Sequence, residues 1–191
     1  MLGWRLLVVP AICVLASIPV RADEPDKTFS LTNTSENGLV VLGLEGYRTW
    51  TINFLGYDPN TNRVVRKQGG QFEGFWPLFP EEAKLRYRFL EVQPGHYAIS
   101  AFQANRYYGC LTPKTLAFEV KPGQVTYIGN LAMDTENGAR RLPDDIGGAQ
   151  AALAAYPNVS APLVLADRSE VNPEVDFRFV CTNAGTYRYV E

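Results

Sequence analysis

Apolar and polar residues alternate with a period of two along much of the chain, which is the pattern of β-strands. The clearest run is KLRYRFLEV at 84–92, where Leu85, Tyr87 and Phe89 alternate with basic residues. The run LVVLGL at 39–44 predicts a fully apolar strand. Further strands are expected at 50–54, 63–67, 97–101, 116–120, 125–131 and 175–179, with a short one in the tail at 186–191.

One segment has the features of a helix. Asp144 or Asp145 can cap a helix rich in Ala and Leu that continues to about Tyr156, where Pro157 ends it. Many short strands with turn signals between them are typical of a sandwich. The chain is therefore expected to be mainly β, an antiparallel β-sandwich with one short helix near 144–156 on its outside.

Two stretches share an E-V-x-P-G sequence, EVQPG at 91–95 and EVKPG at 119–123. Proline presets φ at the second position of a turn, and glycine takes the positive φ that a type II turn needs at the third. We expect both to join neighbouring antiparallel strands. A phosphate-binding loop would need more glycines and a following helix.

Two other stretches are expected to be irregular. QGGQFEGFWPLFP at 68–80 contains three glycines and two prolines, which interrupt regular structure. MDTENGARRLPDD at 133–145 is polar and is interpreted as a loop.

The first 22 residues are organised like a signal peptide. Arg5 precedes the apolar run LLVVPAICVLASIPV at 6–20, and Val20 and Ala22 occupy the positions that signal peptidase reads, so cleavage is expected before Asp23. Retention of this run as an N-terminal membrane anchor is the alternative, although it is shorter than the roughly 20 residues of a span. We expect a signal peptide at 1–22, a lead-in segment at 23–37, a single domain at 38–191, and export to the periplasm or the medium.

Charge and cysteines narrow the class further. Loss of Arg5 and Arg21 with the leader takes the net charge from −2 to about −4, which disfavours nucleic acid and anionic membranes as partners. No stable membrane span is expected after cleavage. Cys110 and Cys181 remain as an even pair in an exported chain, and a disulfide between them is the favoured interpretation over two separate thiols.

The segments PGHYAI at 94–99 and FEVKPGQVTYIGNL at 118–131 carry a partial resemblance to known domains. They resemble uncharacterised bacterial envelope β-sandwich domains and, more distantly, the carboxypeptidase-regulatory-like and transthyretin-like domains. The resemblance covers about residues 84–131. It implies a bacterial, exported sandwich of immunoglobulin-like or transthyretin-like type, and it implies no catalytic residues.

Residues that could support catalysis do not form a recognisable motif. His96 is the only histidine, so a two-histidine metal site is excluded, and no G-x-S-x-G sequence supplies a nucleophilic serine. No cofactor or metal is expected. Two carboxylates are enough for glycoside hydrolysis, but the spacing selects no pair among the candidates, which are Glu73, Glu91, Glu119, Asp134 and Asp176.

Aromatic residues in loops are the strongest candidates for a binding site. Phe75, Trp76 and Phe79 lie among glycines and prolines, and RYYGC at 106–110 adds Tyr107 and Tyr108. Such residues either cover the core or present a surface to a partner, since tryptophan and tyrosine stack on sugars and anchor protein interfaces.

The sequence therefore favours a non-enzymatic, exported envelope protein that binds a partner protein. The first alternative is a carbohydrate-binding module that uses Trp76 with Trp50 or Tyr107. The second is a hydrolase with a carboxylate pair.

Overall fold

A computed structural model describes residues 25–46, 50–74, 84–104, 107–109, 115–134, 138–173, 179–181 and 187–189. The first seven strands are β1 (Gly38–Glu45), β2 (Trp50–Asp58), β3 (Arg63–Gly74), β4 (Arg86–Val92), β5 (Gly95–Ala104), β6 (Tyr107–Gly109) and β7 (Thr115–Val120). They are followed by β8 (Val125–Asp134), β9 (Gly138–Leu142), helix α1 (Ile146–Leu153), β10 (Leu163–Leu165), β11 (Arg168–Val171), β12 (Phe179–Cys181) and β13 (Tyr187–Tyr189).

The strands form two main sheets. The first has the order β10–β8–β1–β4, with β9 also paired to β8, and the second has the order β11–β7–β5–β2–β3, with β6 also paired to β5. Strands β12 and β13 pair only with each other. The prediction of a mainly β fold with one short helix is confirmed.

The first sheet is mixed, so the expectation of an antiparallel fold is wrong for it. Strand β1 runs antiparallel to β4 but parallel to β8, and β10 is also parallel to β8. The second sheet is antiparallel throughout. The apolar run in β1 suits its central place, because parallel strands are covered on both faces and read as continuous apolar runs.

The core has two layers, one on each face of the first sheet. Between the sheets, Phe54, Tyr97 and Phe118 form an aromatic group whose ring centroids lie 5.4–5.9 Å apart. On the outer face, α1 and the chain after it cover β1, β4 and β8, where the rings of Phe89 and Tyr156 are 4.7 Å apart. The helix therefore completes a three-layer arrangement rather than lying loosely outside.

The two P-G segments connect sheets rather than hairpin strands, so this expectation is wrong. The first carries the chain from β4 in the first sheet to β5 in the second, and the other carries it back from β7 to β8. Gly123 does take a positive φ of 60°. Gly95 also takes a positive φ, of 154°. Local sequence predicts these glycine conformations but does not determine which strand becomes the hydrogen-bonded neighbour.

Both stretches expected to be irregular contain regular structure. Strand β3 continues to Gly74. Its pairing with β2 resumes after a register shift between Leu55 and Gly56, where β3 has more residues than β2. Strand β8 continues to Asp134 and forms a hairpin with β9.

The predicted helix and its cap are confirmed, although α1 ends at Leu153 rather than near Tyr156. Asp145 is the N-cap and its Oδ1 accepts a 2.8 Å hydrogen bond from the Gly148 backbone N–H. The lead-in segment joins the core through Leu31, which is buried and bridges Val159. None of the helices in the described ranges is long and apolar enough to cross a membrane.

Candidate functional site

The two sheets share two ends of opposite character. At the loop end, β1, β3, β5 and β8 finish while β2, β4, β6 and β9 begin; its boundary residues are Glu45, Trp50, Gly74, Arg86, Ala104, Tyr107, Asp134 and Gly138. At the turn end the chain reverses through short connections; its boundary residues are Gly38, Asp58, Arg63, Val92, Gly95, Val120 and Val125.

Strand register brings candidate aromatic residues together at the loop end. Trp50 is the register partner of Gly74 on β3 and of Ala104 on β5, and Ala104 is in turn the partner of Tyr107 on β6. Adjacent strands lie about 4.8 Å apart, so the backbones of Trp50 and Tyr107 are roughly 10 Å apart. Tyr108 is one position further along β6.

The remaining aromatic candidates belong to the same end by connectivity. Phe75, Trp76 and Phe79 fall in segment 75–83, outside the described residues. This segment is attached to Gly74, the last residue of β3, and to Lys84, two residues before β4. Trp50 therefore begins β2 at this end, and the segment that contains Trp76 connects two strands there.

Described side chains at the loop end are mostly basic. Lys84, Arg86, Arg140 and Arg141 are exposed, while Glu45 is half-buried. Arg141 lies 3.8 Å from Asp144, which is a weak ion pair because the Arg141 side chain is 53 % exposed. A ligand at this end would meet positive charge from the first sheet beside the aromatic row of the second.

Close contacts hold the backbone in place at the turn end. The Tyr97 hydroxyl donates a 2.6 Å hydrogen bond to the Gln93 carbonyl oxygen, and burial raises the pKa of Tyr97 to about 12. At Gly123 a Cβ would lie 2.5 Å from the Asn33 carbonyl oxygen. The connections at 59–62, 93–94 and 121–124 contain no aromatic residue.

A polar network that the sequence did not predict fixes the start of α1 to the first sheet. The Tyr127 hydroxyl accepts a 3.0 Å hydrogen bond from the Asp145 backbone N–H and donates one of 2.7 Å to Asn130 Oδ1. The Asn130 amide donates at 2.8 Å to the Pro143 carbonyl oxygen, and the Tyr87 hydroxyl lies 3.0 Å from Asp145 Oδ2. Burial is the main cause that raises the pKa of both tyrosines. The network holds the backbone of Pro143 and Asp145 in place, so we interpret its role as structural.

An ion pair beside this network joins the two sheets. Arg168 on β11 donates to Asp144 at 2.8 and 2.5 Å and to the Ile128 carbonyl oxygen at 3.2 Å. These hydrogen bonds hold the pKa of Asp144 below its usual range. Gly129, at φ 103°, leaves the space that the guanidinium occupies, since a Cβ there would lie 2.3 Å from Arg168 Nη1. The only sequence signal for this ion pair is that Asp144 and Asp145 are adjacent, since a helix cap needs only one aspartate.

The two carboxylate candidates whose side chains are described, Glu91 and Glu119, do not converge. Glu91 is exposed on the outer face of the first sheet, where Asn37 donates to it at 2.7 Å. Glu119 lies on the second sheet opposite the exposed His96 and 3.7 Å from Lys121. Glu73 lies on β3 and Asp134 ends β8, while Asp176 falls outside the described residues.

The predicted disulfide also falls outside the described residues, because Cys110 is not among them and only the backbone of Cys181 is described. Strand β13, the partner of β12, contacts β6, which directly precedes Cys110. The bridge stays a prediction.

Comparison of the chain with protein-family models, curated proteins and solved structures found no match. Within the described ranges, no three His, Cys, Asp or Glu side chains lie together as metal ligands would. The loop end is therefore the feature of the molecule from which we infer a function.

Proposed function

We propose that this chain is an exported, non-catalytic binding module of the bacterial cell envelope, which recognises an envelope partner protein through its loop end. The observation that carries the proposal is the register row of Trp50, Ala104 and Tyr107, together with the attachment of segment 75–83 beside it. Loops at one end of a rigid two-sheet scaffold commonly carry binding residues. We further propose that the scaffold is a sandwich of immunoglobulin-like or transthyretin-like type.

Export is supported by the leader at 1–22, and binding is supported by the composition of the loop end. Tryptophan and tyrosine are enriched among the residues that dominate protein interfaces. The exposed Lys84 and Arg86 would surround such an anchor with charge, which favours correct orientation of a partner.

A carbohydrate-binding function is the second candidate. It is favoured by the roughly 10 Å between the backbones of Trp50 and Tyr107, a separation that suits two aromatic platforms along one chain of sugars. Hydrolysis by a carboxylate pair is the third, and no described pair of carboxylates supports it.

In-cell crosslinking of the tagged protein, followed by mass spectrometry, tests the proposal. We expect one dominant envelope protein, captured by the unaltered chain and lost from Trp76→Ala. Tyr57→Ala is the matched control, because Tyr57 is an aromatic residue on β2 near its turn end. Capture that Trp76→Ala leaves intact would contradict the proposal. Retention on peptidoglycan or polysaccharide, with no protein partner, would support the carbohydrate-binding alternative instead.

A further inference from the structure

Strand β10 presents a sheet edge on which no other described strand pairs. Val125 donates to the Pro162 carbonyl oxygen and Ala166 donates to the Tyr127 carbonyl oxygen, both at 2.9 Å. Val164 is the register partner of Thr126, and in a parallel pair only every second residue of a strand directs its backbone N–H and C=O groups to the neighbouring strand. The backbone N–H and C=O groups of Leu163 and Leu165 therefore point away from β8.

Strand β10 carries no charged residue, unlike four other edge strands of the fold. Strands β3, β4, β9 and β11 each contain at least one arginine, which discourages pairing with another chain. The sequence of β10 is Leu-Val-Leu, and Val164 and Leu165 are 39 % and 41 % exposed. An uncharged, exposed, apolar edge is the surface on which an additional strand can pair.

An open depression of about 390 Å³ lies directly beside the edge. Its lining comes from the end of α1, the following turn and the start of β10, where the polar residues Gln150 and Ser160 lie beside apolar ones: Leu153, Tyr156, Pro157, Val159, Ala161 and Leu163. Strand addition gains affinity from main-chain hydrogen bonds and specificity from pockets for alternate side chains. The edge and the depression together supply both.

Charge around the edge selects the kind of strand. Helix α1 ends at the depression with no basic residue in its last turn, so the negative end of its dipole is uncompensated. Asp167 is exposed two residues after β10, and the neighbouring cation, Arg168, is held by Asp144. A basic segment complements these charges.

We propose that β10 accepts an extended, basic segment of another protein as an added strand, with an apolar side chain of that segment seated in the depression. Strand β10 pairs with the first three residues of β8, near the turn end. The proposal is therefore independent of the loop-end function, and each can fail alone.

Amide hydrogen exchange on the ¹⁵N-labelled purified protein tests this proposal. The probe is a synthetic octapeptide that alternates valine with lysine. At saturation we expect exchange of the Leu163 and Leu165 amides to slow at least tenfold. An octapeptide N-methylated at alternate residues should give no protection, and one with glutamate in place of lysine should bind at least tenfold more weakly.

Leu165→Lys should weaken binding of the probe at least tenfold, because it places a charge on the edge. Ile146→Lys is the matched control, since Ile146 is 48 % exposed but lies at the first turn of α1, and it should leave binding unchanged. Absence of protection, equal binding of the glutamate peptide, or equal loss in both variants would overturn the proposal. Protection that grows with protein concentration alone would identify a second copy as the occupant and also overturn it.

Discussion

The turn end and the loop end are made from the same strands, yet they differ in what their residues are used for. At the turn end, Gly123 and the Tyr97 hydroxyl take up positions that few other groups could fill. At the loop end, register places Trp50 and Tyr107 in one row, and the segment with Trp76 is attached beside it. The turn sequences therefore maintain the fold, whereas the candidate aromatic residues belong to the end that has the longer connections.

Substitutions in the scaffold should therefore change the free energy of unfolding and leave partner binding intact. Substitutions at the loop end should weaken partner binding and leave the free energy of unfolding nearly unchanged.

Reduction of the predicted Cys110–Cys181 disulfide should cost the most. A bridge that closes a loop of about 70 residues is worth roughly 4 kcal/mol in the chain-entropy model. The measurement is urea unfolding with and without reductant, after thiol labelling of the denatured, unreduced protein. Two labelled thiols in that sample would show that no bridge exists.

Arg168→Ala should lower the free energy of unfolding by about 2 kcal/mol, because it removes the charged hydrogen bonds to Asp144 and the hydrogen bond to the Ile128 carbonyl oxygen. The exposed Arg140 is the control, and Arg140→Ala should cost less than about 0.5 kcal/mol. Similar losses in the two variants would contradict the assigned role of the pair.

The same ion pair predicts a pH dependence. Because Arg168 lowers the pKa of Asp144 from its ordinary value of 3.8, the stability it contributes is complete above that value. It is lost as the pH falls through the lowered pKa. Unfolding curves of Asp144→Asn should therefore show a shallower loss of stability below about pH 4 than the unaltered protein does.

Gly123→Ala should destabilise the turn end by about 2 kcal/mol, because it combines a φ of 60° with a Cβ 2.5 Å from the Asn33 carbonyl oxygen. Gly147→Ala is the matched control, since a Cβ there meets only Asp145 Oδ1 at 3.6 Å. It should stabilise α1 by about 0.5 kcal/mol. Equal effects of the two substitutions in denaturant unfolding would contradict this account of the turn.

Thr126→Val should stabilise the protein by about 1 kcal/mol. The hydroxyl of Thr126 is buried without a hydrogen-bond partner, so its removal relieves a desolvation cost. Thr115→Val should instead destabilise by about 1 kcal/mol, because the Thr115 hydroxyl donates to the Ile99 carbonyl oxygen. Thermal unfolding of both variants checks the opposite signs.

Trp76→Ala should have the smallest effect on stability, under about 0.5 kcal/mol, if its side chain serves a partner rather than the core. A loss of 3 kcal/mol or more would place Trp76 as a cover on the core. The measurement is denaturant unfolding followed by circular dichroism, with Tyr57→Ala as the control.

Local features of the sequence were predicted well and pairings between distant strands were not. The cap at Asp145, the positive φ at Gly123 and the apolar strand at 39–44 follow from short-range chemistry. The parallel pairing of β1 with β8 joins segments more than 80 residues apart, and alternation carries no information about partners. Trp50 and Tyr107 are separate candidates in the sequence, and their place in one row follows only from the register.

Photocrosslinking at both ends tests the central claim most directly. A benzoylphenylalanine would be placed singly at 47, 79 or 107 on the loop end, and at 60, 94 or 121 on the turn end. We predict adducts in cells with the Trp76-dependent partner from the loop-end positions only. Adducts of equal yield from the turn-end positions would contradict the account and remove the reason to assign binding to the loop end.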